Sequence, residues 1–454
     1  MSESKSVNTI ARERVDNLAS QNGEPSWLKE LRVSAWEAYL QTPMPTNRDE
    51  DWRKTDVESL DLSSLNAIDL STKNDVAAKL PDWFENALSY FECNSGIVAE
   101  VGQASVAPQL PPDLAEKGVV FCSIKQALQN HADLIRPYLS KIETEQKADW
   151  KFVLMNKALF NSGMFLYVPA NVEITSPFIS LTHFQSSNGS PNGVAIFPRL
   201  IAVLGKHSKA SLVNVMSSEQ GAEPKTTFRS LCNTLVEIHV EAGAKCEYLE
   251  VQRFDSNVFA ITRTQNEVQQ DGAVKSLTVA ISGSQLKGDI ATVLNEKGAS
   301  SDLLGIVLGD SEEHFSFNTI QKHVAPDTSS NINFRVALKG TAQSIYQGII
   351  EVDKIAQKTA AFQSNKNLLL GTEARADSIP KLEILADDVK CSHGATVGPV
   401  DREQIFYLMS RGLKQAEAEE LVVTGFFRQI LEACTIGNAK EWVYEVLAEK
   451  IHRA

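Results

Sequence analysis

The fold of this chain is indicated by a short motif that recurs along its central part, at residues 243–250 (GAKCEYLE), 272–279 (GAVKSLTV), 298–305 (GASSDLLG) and 340–347 (GTAQSIYQ). Each copy begins with Gly followed by Ala or Thr. Each has a polar residue four positions after the Gly and an apolar residue directly after that. A degenerate fifth copy begins at Gly371. The glycines recur at intervals of 26 to 42 residues, so the motif marks one structural unit that is repeated.

A glycine-led turn that feeds a strand at such intervals is typical of the coils of a β-solenoid, where only neighbouring coils can cover each apolar face. Short runs rich in β-branched and aromatic residues extend from about residue 152 to 397. A β-sandwich would contain similar strands but has no reason to repeat the turn. We therefore predict a mainly β chain with a β-helix core at 151–400, between a mostly helical N-terminal domain at 1–150 and a C-terminal helical domain at 401–454.

Helical signals dominate the N-terminal region. Apolar residues at helical spacing predict a helix over residues 27–40, which Pro43 and Pro45 end because proline lacks the amide donor. The charged segment 43–55 is interpreted as an ordered loop that caps a helix pair. A second clear helix is predicted at 124–139.

Three helices are predicted beyond residue 400. Asp401 and Gln404 have the spacing of a capping box at the start of the first helix, and Gly412 suits the position after its end. The other two are predicted at 414–432 and 439–451. The inward face of the second helix is predicted to consist of Ala418, Leu421, Val422, Gly425 and Phe426.

Aromatic residues are in surplus in this helical region. Phe406, Tyr407, Phe426 and Phe427 cannot all face inward in so small a bundle, which favours a surface for a partner. Packing of these rings against the end of the solenoid is the alternative.

The composition excludes several classes of function. The 454 residues carry a net charge of −13, which argues against binding to nucleic acid and to an anionic membrane. No signal peptide and no apolar run long enough to span a bilayer is recognisable, so we expect a cytoplasmic protein. The six cysteines are scattered, so disulfides are not expected; they lie at positions 93, 122, 232, 246, 391 and 434.

The common catalytic and nucleotide-binding motifs are missing: we find no GxxxxGK[ST], GxGxxG, HExxH or GxSxG. What remains is the stretch 386–398 (ADDVKCSHGATVG). Cys391 and His393 lie two residues apart and would project from the same face of a strand. A nearby imidazolium would increase the thiolate fraction of the cysteine.

Both side chains are good ligands for iron or zinc. A tetrahedral zinc or iron–sulfur site needs about four ligands, so two residues can form at most half of one. The alternatives at this point are a metal or sulfur site completed from elsewhere, and a buried cysteine beside a hydrogen-bonded histidine.

The same stretch, together with residues 365–370 (NKNLLL), 379–384 (IPKLEI) and 406–412 (FYLMSRG), strongly resembles the SufB/SufD family of iron–sulfur cluster assembly proteins. The form KCSHG at 390–394 and the segments 43–46 (PMPT) and 50–55 (EDWRKT) resemble the SufD branch. The SufB branch carries an essential cysteine on the strand before its Pro-x-Ile-Glu segment. Alignment on Pro380 places Ala374 there, so this chain is not expected to be the main scaffold.

The resemblance implies a right-handed parallel β-helix that pairs with a SufB-type scaffold through the β-helices, with a homodimer as the form of the isolated chain. It implies that the C-terminal helices bind a SufC-type ATPase, with Phe406, Tyr407, Arg411 and Phe426 as candidate docking residues. His393, with Cys391 beside it, would face a transient iron–sulfur cluster shared with the partner. The chain itself would be non-catalytic and hold no stable cofactor, and ATP would be used by the ATPase alone.

Two other functions are weighed against this one. A cytoplasmic metalloprotein would bind its own ion through Cys391 and His393. A β-helix enzyme acting on carbohydrate would need paired carboxylates or a calcium site in a groove, and the sequence shows no such pairing.

Overall fold

A computed structural model describes residues 13–18, 20, 24–62, 65–67, 79–91, 95–102, 104–106, 110–142, 148–185, 193–219 and 230–453. The predictions for Cys93 and for the extreme N-terminus concern residues outside these ranges. Among the described residues, no helix is both long and apolar enough to span a bilayer.

Two long sheets, mostly parallel, form the core of the molecule. From residue 198 onward successive strands alternate between them, so each coil gives one strand to each sheet. The first sheet contains β1 (Leu65–Ala67), β4 (Val120–Ser123), β5 (Ser162–Val168), β7 (Gly193–Ile196), β8 (Pro198–Leu204), β10 (Ser230–Val240), β12 (Val258–Val268), β14 (Gln285–Leu294), β16 (His314–His323), β18 (Gln343–Val352) and β20 (Arg375–Ile384). The second contains β2 (Ile97–Val101), β3 (Ala104–Val106), β6 (Phe178–Phe184), β9 (Lys209–Ser218), β11 (Lys245–Arg253), β13 (Ala273–Ser282), β15 (Ser300–Gly309), β17 (Ser329–Leu338), β19 (Ala360–Leu369) and β21 (Lys390–Pro399). The predicted β-solenoid is confirmed. Only the short pairs β2–β3 and β4–β5 are antiparallel among the pairings of described strands.

A column of turn residues explains the sequence repeat. Two residues before strands β9, β11, β13, β15, β17 and β19, the backbone adopts a left-handed conformation, at His207, Gly243, Asp271, Gly298, Asp327 and Lys358. Most of these residues donate the backbone N–H to a carbonyl of the next coil, as Gly243 does to Gln270 at 2.8 Å. Each coil therefore needs one residue with positive φ here, which glycine adopts most readily.

The sequence repeat correctly predicts recurring turns, but it misplaces some of them along the chain. In the second copy the left-handed residue is Asp271 and not Gly272, because aspartate also tolerates this conformation. The copies at Gly340 and Gly371 precede β18 and β20, which belong to the first sheet. The coils whose turn residue is His207, Asp327 or Lys358 are missing from the repeat read from the sequence.

N-terminal helices lie on both sheets: Phe84 and Ala87 pack on the second sheet, whereas the helices around Trp36 and Ile135 pack on the first. They are α1 (Ser26–Gln41), α2 (Asp82–Leu88), α3 (Pro112–Glu116), α4 (Ile124–Asn130), α5 (Ala132–Leu139) and α6 (Lys151–Leu159). Helix α1 ends two residues before Pro43, as predicted. The single helix predicted at 124–139 is wrong: His131, with φ of −134°, separates α4 from α5.

The segment 43–55 does more than cap a helix pair. Trp52 is buried against Phe152, and the chain around it crosses the outer face of the first sheet. Lys54 forms an ion pair with Asp377, and Glu50 forms one with Lys381, both on β20. The segment thereby connects the N-terminal region to the last coil.

The C-terminal helices are α7 (Arg402–Ser410), α8 (Gln415–Leu431) and α9 (Ala439–Arg453). Helices α8 and α9 pack along the outer face of the second sheet and not against the end of the solenoid. Their buried residues share one cluster with apolar residues on β9 to β15. The predicted inward face of α8 is partly wrong, since Leu421 is 53% exposed while Val423 and Phe427 are buried.

Close packing inside the coils gives a first testable prediction. Gly305 on β15 lies opposite Phe334 on β17, and a Cβ at position 305 would overlap the Phe334 ring. Replacing Gly305 by Ala should lower the free energy of unfolding by about 1–3 kcal/mol, because a rigid core has to move to admit the methyl group. The midpoint of chemical denaturation measures this loss.

Gly398 on β21 provides the matched control, since a Cβ there would meet nothing within 4 Å and its φ is not positive. Gly398→Ala should leave the midpoint unchanged or raise it slightly. Equal midpoints for the two variants would show that the interior is less tightly packed than the structure indicates.

Candidate functional site

The stretch around Cys391 and His393 forms the last strand of the solenoid. Strand β21 pairs with β19 on one side, in the register Ala361↔Cys391 and Gln363↔His393. No described strand pairs with its other edge. In earlier coils, the interior-facing residues of a strand are covered by the next coil, and β21 has no next coil. His393 is therefore exposed, although Gln363, its register partner on β19, is buried.

Cys391 is half-buried beneath this open edge. Its side chain packs at the cluster formed by Ile350, Val352, Ala356, Ala361 and Ala386. Burial raises the pKa of the Cys391 thiol, which outweighs the lowering effect of a backbone hydrogen bond with Ala361. Desolvation therefore disfavours the thiolate form of Cys391, and the effect of a neighbouring imidazolium stays a prediction.

The predicted same-face arrangement of Cys391 and His393 follows from their positions on one strand, since alternate residues point to the same side. Within the described part of the chain, no three His, Cys, Asp or Glu side chains converge as a metal-binding group. The ligands that the structure brings to this place are therefore at most these two.

The first sheet ends at the same place, with β20 as its edge strand. Pro380 lies in the middle of β20, where its missing N–H is tolerated because the strand has a free edge. Ala374, the residue aligned with the essential cysteine of the SufB branch, is buried directly before this same strand. Ala374 therefore lies in the turn that leads into β20, and not on a separate strand before the one that carries Pro380, as the alignment assumed.

Large apolar side chains are exposed around this open end. Eleven large apolar side chains are exposed among the described residues, and five of them lie on the last two coils. Isolated exposed apolar residues are normal on a protein surface, but such a concentration suggests an interaction site. We call this set the end surface; it consists of Ile355, Phe362, Ile379, Leu385 and Val397.

A second apolar surface lies on α7, which has no buried residue at all. Phe406 is 72% exposed, and Tyr407 and Met409 are also exposed. Arg411 donates a hydrogen bond to the Tyr407 hydroxyl at 3.0 Å, and its guanidinium lies over that ring. We call Phe406, Tyr407, Met409 and Arg411 the helix surface.

The fourth predicted docking residue, Phe426, does not belong to the helix surface. It is half-buried on α8, where the Arg335 guanidinium lies 5.2 Å from its ring and bonds its backbone carbonyl. Sequence reasoning did not place Leu421 on the surface, because its spacing fits the buried face of α8 equally well.

The connection between the two surfaces is short and ordered. Residues 394–399 belong to β21, so only Val400 and Asp401 link the solenoid to α7. The Val400 N–H bonds the carbonyl of Leu369, and Asp401 caps α7 by accepting from the N–H groups of Glu403 and Gln404. The helix surface therefore follows directly from the strand that carries His393.

These features define a β-solenoid protein with helices on both sheets, an open last coil and a second exposed apolar surface on its C-terminal helices. Two family models cover almost the whole chain. Residues 4–179 match the SufBD protein N-terminal region, and residues 184–426 match the SufBD core domain of SUF-system FeS cluster assembly. The chain belongs to the SufB/SufD family of iron–sulfur cluster assembly proteins, which confirms the resemblance.

Individual relatives match over nearly their full length. The chain is 28% identical over 453 residues to the iron–sulfur cluster assembly protein SufD of Bacillus subtilis, covering 98% of each chain. It is 26% identical over 452 residues to SufB of the same organism, covering 96% of this chain and 92% of the relative. A SufBD family protein of Staphylococcus haemolyticus is 27% identical over 443 residues, covering 94% of this chain and 90% of the relative.

Proposed function

We propose that this chain is a non-enzymatic subunit of an iron–sulfur cluster assembly complex, and that it contributes His393 to the nascent cluster at a junction with a SufB-type scaffold. The observation that carries this proposal is the position of His393. It stands exposed on an interior-facing column at the point where the stack of coils ends.

A second solenoid is the partner that fits this end. Strands β20 and β21 present free edges, which pair readily with another chain. Val397, which lies on the same column as His393, would be covered by this contact, and Phe362, which points outward from β19, would lie at its margin. Side chains of the partner would then approach His393 and supply the cluster ligands that this chain lacks.

The helix surface is proposed to bind a SufC-type ATPase. Aromatic and arginine side chains dominate the binding energy of many interfaces. Phe406 and Tyr407 on α7, with Arg411 directly after it, form such a group. In this proposal ATP is used by the ATPase alone, the cluster is cargo, and no cofactor stays on this chain.

We place this assembly in the cytoplasm. The described cysteines are unpaired, at positions 122, 232, 246, 391 and 434. Unpaired thiols are typical of a reducing compartment such as the cytosol.

Replacing His393 by Ala should lower the rate of cluster formation by about tenfold or more in a reconstituted complex with the scaffold and the ATPase, because one ligand is lost. The complex itself should remain intact, since an exposed imidazole contributes little to folding. Iron and acid-labile sulfide analysis measures the cluster, and size-exclusion chromatography measures the assembly.

Ser392→Ala is the control on the opposite face of the same strand, and its cluster yield should equal that of the wild type. A wild-type yield for His393→Ala would rule out the cluster-facing role. Stoichiometric, tightly held metal in the isolated chain would instead favour the metalloprotein alternative.

A further inference from the structure

We infer that Gln363 is a positioning residue for His393: it accepts the ring N–H and fixes which imidazole nitrogen faces the partner. This inference rests on the proposed function of His393. It concerns a residue on the preceding coil that no motif singles out.

Gln363 lies directly beside His393 in the coil stack. The two residues pair in register on the parallel strands β19 and β21, which are separated by about 4.8 Å, so their side chains share one face. That face is the interior, because Ala361, Gln363 and Asn365 are buried while Phe362 and Lys366 are exposed.

The amide of Gln363 is buried without a partner. The residue is 4% exposed, and neither its Nε2 nor its Oε1 has a hydrogen-bond partner among the described residues. Its register neighbour on the preceding coil is Ile332 on β17, whose side chain has no polar atom. An unsatisfied buried amide is costly, so Gln363 has both a donor and an acceptor available for a neighbour in its column.

The opposite wall of the solenoid makes room for this amide. Gly348 on β18 lies across from it, and a Cβ at that position would overlap the amide nitrogen of Gln363. The nearby Tyr346 hydroxyl is already bonded to Thr319 Oγ1 at 2.8 Å. In its own column, the remaining polar neighbour of Gln363 is thus His393, on the open side.

A hydrogen bond between the two would define the chemistry of the imidazole. A neutral imidazole has one N–H donor and one nitrogen with a free lone pair. If Gln363 Oε1 accepts the N–H of one ring nitrogen, the other nitrogen must present its lone pair, and the ring loses its freedom to rotate. Such outer partners orient metal-binding histidines in many proteins.

The test uses the full chain with ¹⁵N-labelled histidine, bound to a SufB-type scaffold, and reads the tautomer of His393 by NMR. His393→Ala identifies the signal. We expect one dominant tautomer in the wild type and a mixture in Gln363→Leu, with cluster formation slowed by on the order of tenfold. Gln363→Glu keeps an acceptor oxygen and should keep a single tautomer.

Gln321→Leu is the matched control. Gln321 is also fully buried with both amide atoms unpartnered among the described residues, but it lies on β16, two coils from the open end. Its replacement should leave the His393 tautomer and the cluster yield unchanged. An unchanged tautomer in Gln363→Leu would overturn the positioning role alone, whereas a normal cluster yield in His393→Ala would overturn the role of the histidine.

Discussion

Replacing Arg199 by Met is expected to lower the free energy of unfolding by about 3–5 kcal/mol, because it leaves a buried carboxylate without its counter-charge. Arg199 and Glu237 are completely buried side chains joined at 2.7 Å on the outer face of the first sheet. Arg199 also donates to the carbonyl of Leu139 at 2.9 Å, the last residue of α5, and lies over the Phe160 ring. One side chain thus fastens the N-terminal helices to the solenoid.

The loss should depend on pH in a defined direction. Burial raises the pKa of Glu237, and Arg199 opposes this rise, so removal of Arg199 raises that pKa further. A raised folded-state pKa contributes stability that is present at low pH and lost as pH rises through it. The difference between Arg199→Met and the wild type should therefore be larger at pH 8 than at pH 5.

Two further variants separate this explanation from a general loss of packing. The double variant Arg199→Met, Glu237→Leu should recover much of the loss, because it removes both charges. Lys322→Met breaks a partly exposed pair with Glu351 on the same sheet and should cost less than about 1 kcal/mol. Denaturant titrations at the two pH values provide the measurement, and equal losses for Arg199→Met and Lys322→Met would contradict the argument.

The solenoid was predictable because its turn imposes a backbone constraint that only some residues meet. Gly243 and Gly298 occupy left-handed positions for which glycine is the simplest choice, so they leave a visible repeat. Lys358 and His207 occupy the same position without a sequence signal. The number and register of coils therefore could not be read from the glycines alone.

The packing of the C-terminal helices was not predictable from their own sequence. Val213 and Val215 face outward on β9 and are buried by a cluster that includes Phe427. A strand that is buried on both faces has a continuous run of apolar residues. Its hydrophobic pattern therefore does not indicate which face packs against a helix. The helices themselves show only that an apolar stripe exists.

The site was predictable in part. The strand period placed Cys391 and His393 on one face, but not the difference in their burial, which depends on where the coils stop. Gln363 could not be recognised, because its adjacency to His393 arises from pairing between strands one coil apart. Contacts of this kind exist only once the register is known.

Replacing Phe406 by Ala should weaken binding of a SufC-type ATPase by about 30-fold or more, which corresponds to about 2 kcal/mol for a central aromatic residue of an interface. The folded state should be unaffected, because the ring is 72% exposed and α7 buries no residue. Calorimetric titration of the full chain with the purified ATPase measures the affinity, and thermal unfolding checks the fold.

Phe362→Ala is the matched control for this second interface. Phe362 is also an exposed phenylalanine, at 45%, but it lies on β19 within the end surface. Its replacement should weaken pairing with the SufB-type scaffold and leave the affinity for the ATPase unchanged, while Phe406→Ala should do the reverse. If both variants weakened the same partner, the two surfaces would form one interface, and the assignment of α7 to the ATPase would fail. The opposite effects would follow from geometry: one surface lies at the end of the coil stack, and the other lies on a helix that two residues separate from the last strand.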